Sequence, residues 1–115
     1  MSDARIAATQ VENRVASYLR DEGWTIVTRR YKAARGEIDI IALDGEVLVF
    51  VEVKSTRRDP EYARSALTPD KIERMRGAAA LFVQEASMQD RNYRFDLVIV
   101  GPERIERIAD VGEAY

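Results

Sequence analysis

The chain has 115 residues, 46% hydrophobic and 33% charged, with a formal net charge of −2, the composition of a soluble globular protein with one core. It holds neither cysteine nor histidine, which excludes disulfides, thiolate chemistry, Ser-His-Asp triads and His-ligated zinc or iron. Any catalysis must rest on carboxylates, lysine, arginine, tyrosine, hydroxyls, or a metal held by oxygen. The slight negative charge argues against coating nucleic acid by bulk charge alone. The longest apolar run, residues 47–51, is too short to span a bilayer. The opening Met-Ser-Asp-Ala-Arg lacks the apolar stretch of a signal peptide. A cytoplasmic protein with no membrane partner is expected, and residues 1–115 read as a single domain without repeats or linkers.

In chain order, residues 4–22 read as a helix, because Val11, Val15, Tyr18 and Leu19 recur on one face of a 3.6-residue period. Gly23 suits a left-handed C-terminal cap. Residues 24–28, β-branched and alternating, read as a strand. A basic loop follows, with Arg29, Arg30, Lys32 and Arg35 around Tyr31, ending at Gly36. Residues 37–43 and 46–54 read as two strands around the hairpin signal Asp44-Gly45. Residues 55–66 look like an irregular, basic, mobile loop. Thr68-Pro69-Asp70 then reads as an N-cap, an N1 proline and a first-turn acid. The helix it opens packs Ile72, Met75, Ala79, Phe82 and Val83 toward a core. Residues 93–100 and 105–108 close the chain as strands. The order α-β-β-β-α-β-β predicts a mixed sheet with helices packed on it.

Within the hairpin, Ile38, Ile40, Ala42, Val47, Val49, Val51 and Val53 are expected on one buried face. Ile41, Leu48 and Phe50 make the other face largely apolar as well. Three acids interrupt that second face. A turn centred on Asp44-Gly45 places Ile41 opposite Leu48, Asp39 opposite Phe50 and Glu37 opposite Glu52. Opposed like charges are destabilising, and Lys54 supplies only one positive charge. A divalent cation answers the imbalance economically, since Mg²⁺ takes oxygen ligands from one or two carboxylates. In the first helix Glu12 falls between Leu19 and Ala16, inside the core-facing stripe, where a carboxylate must be paired, neutralised or metal-bound. A salt bridge to an arginine explains Glu12 equally well. Asp96 reads as a structural or edge-strand acid, and the helix from Thr68 as core packing.

Gly36-Glu37-Ile38-Asp39-Ile40-Ile41-Ala42 and Val49-Phe50-Val51-Glu52-Val53-Lys54-Ser55-Thr56-Arg57 resemble the signature of the YraN family, also called UPF0102. That family is regarded as endonuclease-like and related to archaeal Holliday-junction resolvases. The resemblance takes in Glu12, Ala16, Tyr18-Leu19 and Gly23, then Lys71 and Arg94-Phe95-Asp96. It implies the restriction-endonuclease-like, PD-(D/E)xK fold, a mixed β-sheet flanked by α-helices. Asp39 matches the motif's aspartate, Glu52 its second acid, Lys54 its lysine, and Glu12 the helical acid of the resolvase branch. Ile38 stands where the motif tends to proline. The expected chemistry is hydrolysis of DNA phosphodiester bonds with Mg²⁺ or Mn²⁺. Asp39, Glu52, the Val53 carbonyl and Glu12 would hold the metal, with Glu37 in support. Arg29, Arg30, Lys32, Arg35, Arg57 and Arg58 would hold the backbone of branched or duplex DNA. A symmetric junction favours a homodimer, for which no seam is visible. Two alternatives stay open: a nucleic-acid-binding module whose metal site is vestigial or partner-dependent, and a protein-interaction domain.

Overall fold

The computed structural model describes residues 3–114. The elements are α1 (Asp3–Asp21), β1 (Thr25–Lys32), β2 (Glu37–Asp44), β3 (Val47–Ser55), α2 (Pro69–Glu85), β4 (Tyr93–Val100) and β5 (Ile105–Ile108), with 3₁₀ turns at Pro60–Ala66 and Val111–Ala114. The five strands lie in the order β1-β2-β3-β4-β5. Only the β3–β4 pair is parallel, because α2 carries the chain from the end of one back to the start of the other. The expected α-β-β-β-α-β-β sandwich is the observed one. No helix among the described residues is long and apolar enough to cross a membrane.

Local chemistry sets the element ends. Gly23 takes φ 92°, the Gly23 N–H donates to Arg20 O and the Trp24 N–H to Leu19 O. These are the two bonds of a Schellman cap, and Leu19 and Trp24 meet in the same apolar cluster. Thr68 caps α2 by accepting from the Lys71 N–H. Residues 56–66 are not wholly irregular: Asp59 accepts from the Glu61 N–H and opens the 3₁₀ turn at Pro60.

Each sheet face is covered by one helix. Val15, Ala16 and Leu19 of α1 pack on Ile40, Ala42, Val49, Val51, Val98 and Val100. On the other face Ile72, Met75, Ala79 and Phe82 of α2 pack on Ile41, Leu48, Phe50, Phe95 and Leu97. These side chains are essentially withdrawn from water, at roughly 25 cal/mol per Å² of apolar area buried.

Two features depart from the sequence reading and both bear on the acids. The hairpin closes at Asp44↔Val47, so Gly45 and Glu46 form the loop and Ile41 pairs with Phe50 rather than Leu48. Gly45 takes φ 61° at the first central position, the pattern of a type II′ turn. A two-residue shift by itself preserves the faces, and it carries Glu52 along to the level of Asp39. The second departure is at β1, which runs on through Lys32 as an edge strand rather than ending at Thr28. Arg29 pairs with Ile40 and Tyr31 with Ile38. Yet Ile40 lies in the α1 cluster while Ile38 and Tyr31 lie in the α2 cluster. Side-chain alternation therefore breaks between these pairs, at Arg30, whose φ is 52°, and at Asp39 facing it. Ile38 is thus displaced from the face expected of it.

Candidate active site

The carboxylates gather where the β2–β3 ladder ends. Its last pair is Ile40↔Val51. Beyond it the Val53 N–H donates not to a backbone carbonyl but to Asp39 Oδ2, at 2.7 Å. This bond fixes the Asp39 side chain at the point where strand alternation flips. Asp39 Oδ1 carries no hydrogen bond among the described residues. Glu52 is only 8% exposed, and its Oε1 receives two ammonium groups, Lys54 Nζ at 3.5 Å and Lys71 Nζ at 3.3 Å. Both lysines approach this one oxygen, and Oε2 accepts no hydrogen bond among the described residues.

Asp39 and Glu52 line a cavity of about 470 Å³ together with Glu37, Lys32, Arg35, Lys71 and Arg74. On the α1 side a smaller hollow of about 130 Å³ reaches Asp39 beside Glu12, Val53 and Ser55. Asp39 therefore stands between two openings, which an acid confined to one sheet face could not do.

The electrostatics follow from this crowding. Burial, and next the Glu52 charge, push Asp39 up to about 6, against the Val53 N–H bond that lowers it; Glu12 and Glu37 raise it further. The Lys71 amine, then burial, hold Lys54 below its ordinary value, while Glu52 works the other way. Two carboxylates, each with an oxygen that accepts no hydrogen bond and one kept from ionising easily by burial and by the other's charge, are hard donors suited to a cation. That donor set fits Mg²⁺ or Mn²⁺, which take one or two carboxylates and complete the shell with carbonyls, waters or phosphate oxygens. Among the described residues no three acidic side chains converge on one point as a ready-made chelate.

Sequence-expected residues fall into distinct places. Asp39, Glu52 and Lys54 sit at one end of the hairpin, with Val53 bonded to Asp39. Glu12 is 7% exposed, and its two oxygens accept from Arg29 Nε at 3.0 Å and Arg30 Nε at 3.2 Å. Arg29 and Arg30 are further tied to Asn13 and Thr9 of α1. These arginines are strand residues bound into a buried acid's shell, not members of a loop. The left-handed backbone at Arg30 lets consecutive side chains reach the same carboxylate. Lys32, Arg35 and Glu37 line the larger cavity. Arg57 and Arg58 are exposed after β3, with the Arg58 guanidinium 4.0 Å from the Tyr62 ring centre. Asp96 is fully buried on the interior strand β4, not on an edge. It is held by Arg94 Nε at 3.0 Å, Arg107 Nη1 at 3.1 Å and the Asp110 N–H.

Sequence reasoning gave Lys71 only as part of the family resemblance, with no role in the site, and did not single out Arg74. The available signal was their spacing: with Met75 they form an i, i+3, i+4 stripe beside the apolar face, one turn past the Thr68 cap.

A family model described as "Uncharacterised protein family UPF0102" matches residues 11–100. A UPF0102 protein of Syntrophus aciditrophicus is 43% identical over 108 residues, covering 89% of this chain and 84% of that protein. A UPF0102 protein of Geobacter sulfurreducens is 38% identical over 116 residues, covering 95% and 90%. Among solved structures, Hjc of Archaeoglobus fulgidus, a Holliday junction resolvase, superposes with a TM-score of 0.59 at 18% identity, over 90% of this chain and 77% of that one. At that identity the likeness is one of fold.

Proposed function

The chain belongs to the UPF0102 family, and on that footing we propose that it is a divalent-metal-dependent nuclease hydrolysing DNA phosphodiester bonds, with branched or structured DNA as its substrate class. The observation that carries this reading is the meeting of Asp39, Glu52, Lys54 and Lys71 at the head of a cation-lined cavity. Resolvase-like architecture supports the choice of DNA structure. The reaction adds water to phosphorus and breaks the bond to one sugar oxygen, leaving a phosphate monoester and a hydroxyl.

Asp39, Glu52 and the Val53 carbonyl would hold Mg²⁺ or Mn²⁺. Such an ion supplies Lewis-acid stabilisation of charge developing on a phosphate oxygen. The remaining work falls to the chain. The Val53 N–H pins Asp39, so its free oxygen is aimed before any ligand arrives. Lys54 and Lys71 orient Glu52 and set positive charge where a pentavalent phosphorus gathers negative charge. Glu12, saturated by Arg29 and Arg30, acts as a fixed negative charge behind Asp39 rather than as a metal ligand. Glu37 lies at the cavity rim.

One observation favours a second reading. Both Glu12 oxygens and one Glu52 oxygen are already neutralised by protein cations, which suits a nucleic-acid-binding module whose metal site is vestigial or completed by a partner. Calorimetric titration of Mn²⁺ into the wild type and Asp39→Ala separates the two. The nuclease reading expects binding that the substitution abolishes. Tight DNA binding indifferent to both metal and Asp39 would favour the module.

A further inference from the structure

Many arginines and lysines among the described residues are already in ion pairs. Arg29 and Arg30 hold Glu12, Arg94 and Arg107 hold Asp96, and Arg104 holds Asp59. Lys32, Arg35 and Arg74 differ. All three are exposed, and none has an ion pair or side-chain hydrogen bond among the described residues. Yet all three line the cavity that contains Asp39 and Glu52. They come from two elements, the turn between β1 and β2 and the second turn of α2.

Those elements are locked together. The Ala33 N–H donates to Gly36 O at 2.9 Å, closing the turn. Gly36 lies so close to α2 that an added Cβ would be 2.6 Å from the Arg74 carbonyl oxygen. Ala33 packs against the α2-side core. Three exposed cations without an ion pair, held on a pinned frame, give the rim of this concavity a local positive potential that favours an anion there.

We infer that Lys32, Arg35 and Arg74 form a phosphate seat for a single DNA strand, which enters the cavity between the β1–β2 turn and α2 and brings its backbone to Asp39 and Glu52. The inference rests on the nuclease reading for its substrate and adds the route that the strand takes. It assigns Arg74, and relieves Arg29 and Arg30 of backbone contact, because Glu12 occupies them. These are positioning residues: they hold phosphates flanking the reacting one and touch no reacting atom.

The test is fluorescence anisotropy with a labelled four-way junction and one of its component single strands, in EDTA, across a KCl series. The full chain is compared with Lys32→Gln, Arg35→Gln, Arg74→Gln and their combination. Arg14→Gln and Arg20→Gln, exposed α1 cations away from the cavity, serve as charge-matched controls. Each seat variant should flatten the slope of log K against log [KCl] by about 0.7–0.9, the value of one lost phosphate contact. The α1 controls should leave it unchanged, and melting curves should be alike throughout. Equal losses from the α1 variants, unchanged slopes in the seat variants, or no DNA binding by the wild type would each overturn the seat. Without metal no cleavage is read, so the two proposals fail separately. A seat-dependent slope in a protein that never cuts DNA sinks the nuclease reading alone. Cutting without a seat-dependent slope sinks the seat alone.

Discussion

Replacing Asp39 by asparagine should make the metal-free protein more stable at neutral pH. Asp39 is pushed from 3.8 to about 6 by burial and by Glu52. A carboxyl whose folded pKa is raised binds its proton more tightly in the native state, so its ionised form costs stability above about pH 6. That cost shrinks as pH falls from about 6 and is gone below 3.8. At about 1.4 kcal/mol per unit, the shift sets a ceiling of about 3 kcal/mol. Asparagine removes the charge and keeps an acceptor for the Val53 N–H, though a weaker one than a carboxylate. The net gain at pH 8 should be about 1–2 kcal/mol, or about 4–8 °C in Tm for a domain of this size. Urea unfolding in EDTA at pH 8 and pH 4 reads it directly. The variant should lead at pH 8 and lose most of that lead by pH 4. Adding Mn²⁺ should then reverse the order, stabilising the wild type by about 2.7 kcal/mol at a hundred times Kd and leaving the variant unmoved. A variant less stable than the wild type in EDTA at pH 8 would refute the reasoning.

Other substitutions test the frame around the site. Gly36→Ala drives a methyl group into the Arg74 carbonyl and should cost about 1–3 kcal/mol by chemical denaturation, weakening DNA binding at the same time. Glu12→Gln strips the charge that Arg29 and Arg30 share. It should cost about 1–3 kcal/mol, and unchanged Mn²⁺ affinity in calorimetry would support its role as a supporting charge. Asp96→Ala leaves Arg94 and Arg107 without their buried partner and should cost about 3–5 kcal/mol, with Mn²⁺ affinity intact in whatever fraction stays folded.

The architecture was readable wherever local chemistry and periodicity agreed. Gly23 ends α1, Thr68-Pro69 opens α2, and the alternation in residues 37–54 marks a hairpin buried on both faces. The Glu52-x-Lys54 spacing put both side chains on one face, and the structure joins them. The hairpin register was not readable to the residue, because a dipeptide Asp-Gly can centre a turn or lead into one. Nor was the length of β1: Arg29, Arg30 and Lys32 look like a loop because an edge strand tolerates charge on its open side. The flip at Arg30 and Asp39 has no sequence signature, since period-two reasoning assumes an unbroken strand. It moved Ile38 to the other face and set Asp39 between two openings. Lys71 and Arg74 lie far along the chain from the hairpin motif and reach it only through the packing of α2 on β2. Glu12 was left between a ligand and an ion pair by its helical position, and two arginines in a neighbouring strand occupy it.

In the proposed function Asp39 and Glu52 organise metal-dependent cleavage of DNA. Its most direct measurement is cleavage of end-labelled four-way-junction, flap, duplex and single-stranded DNA by the wild type and by Glu52→Gln purified identically, with Mg²⁺, Mn²⁺ or EDTA. Cutting should require the metal, favour branched DNA and fall by at least about a hundredfold in the variant. Equal cutting by the variant, or DNA bound without cutting under every metal condition, would contradict it.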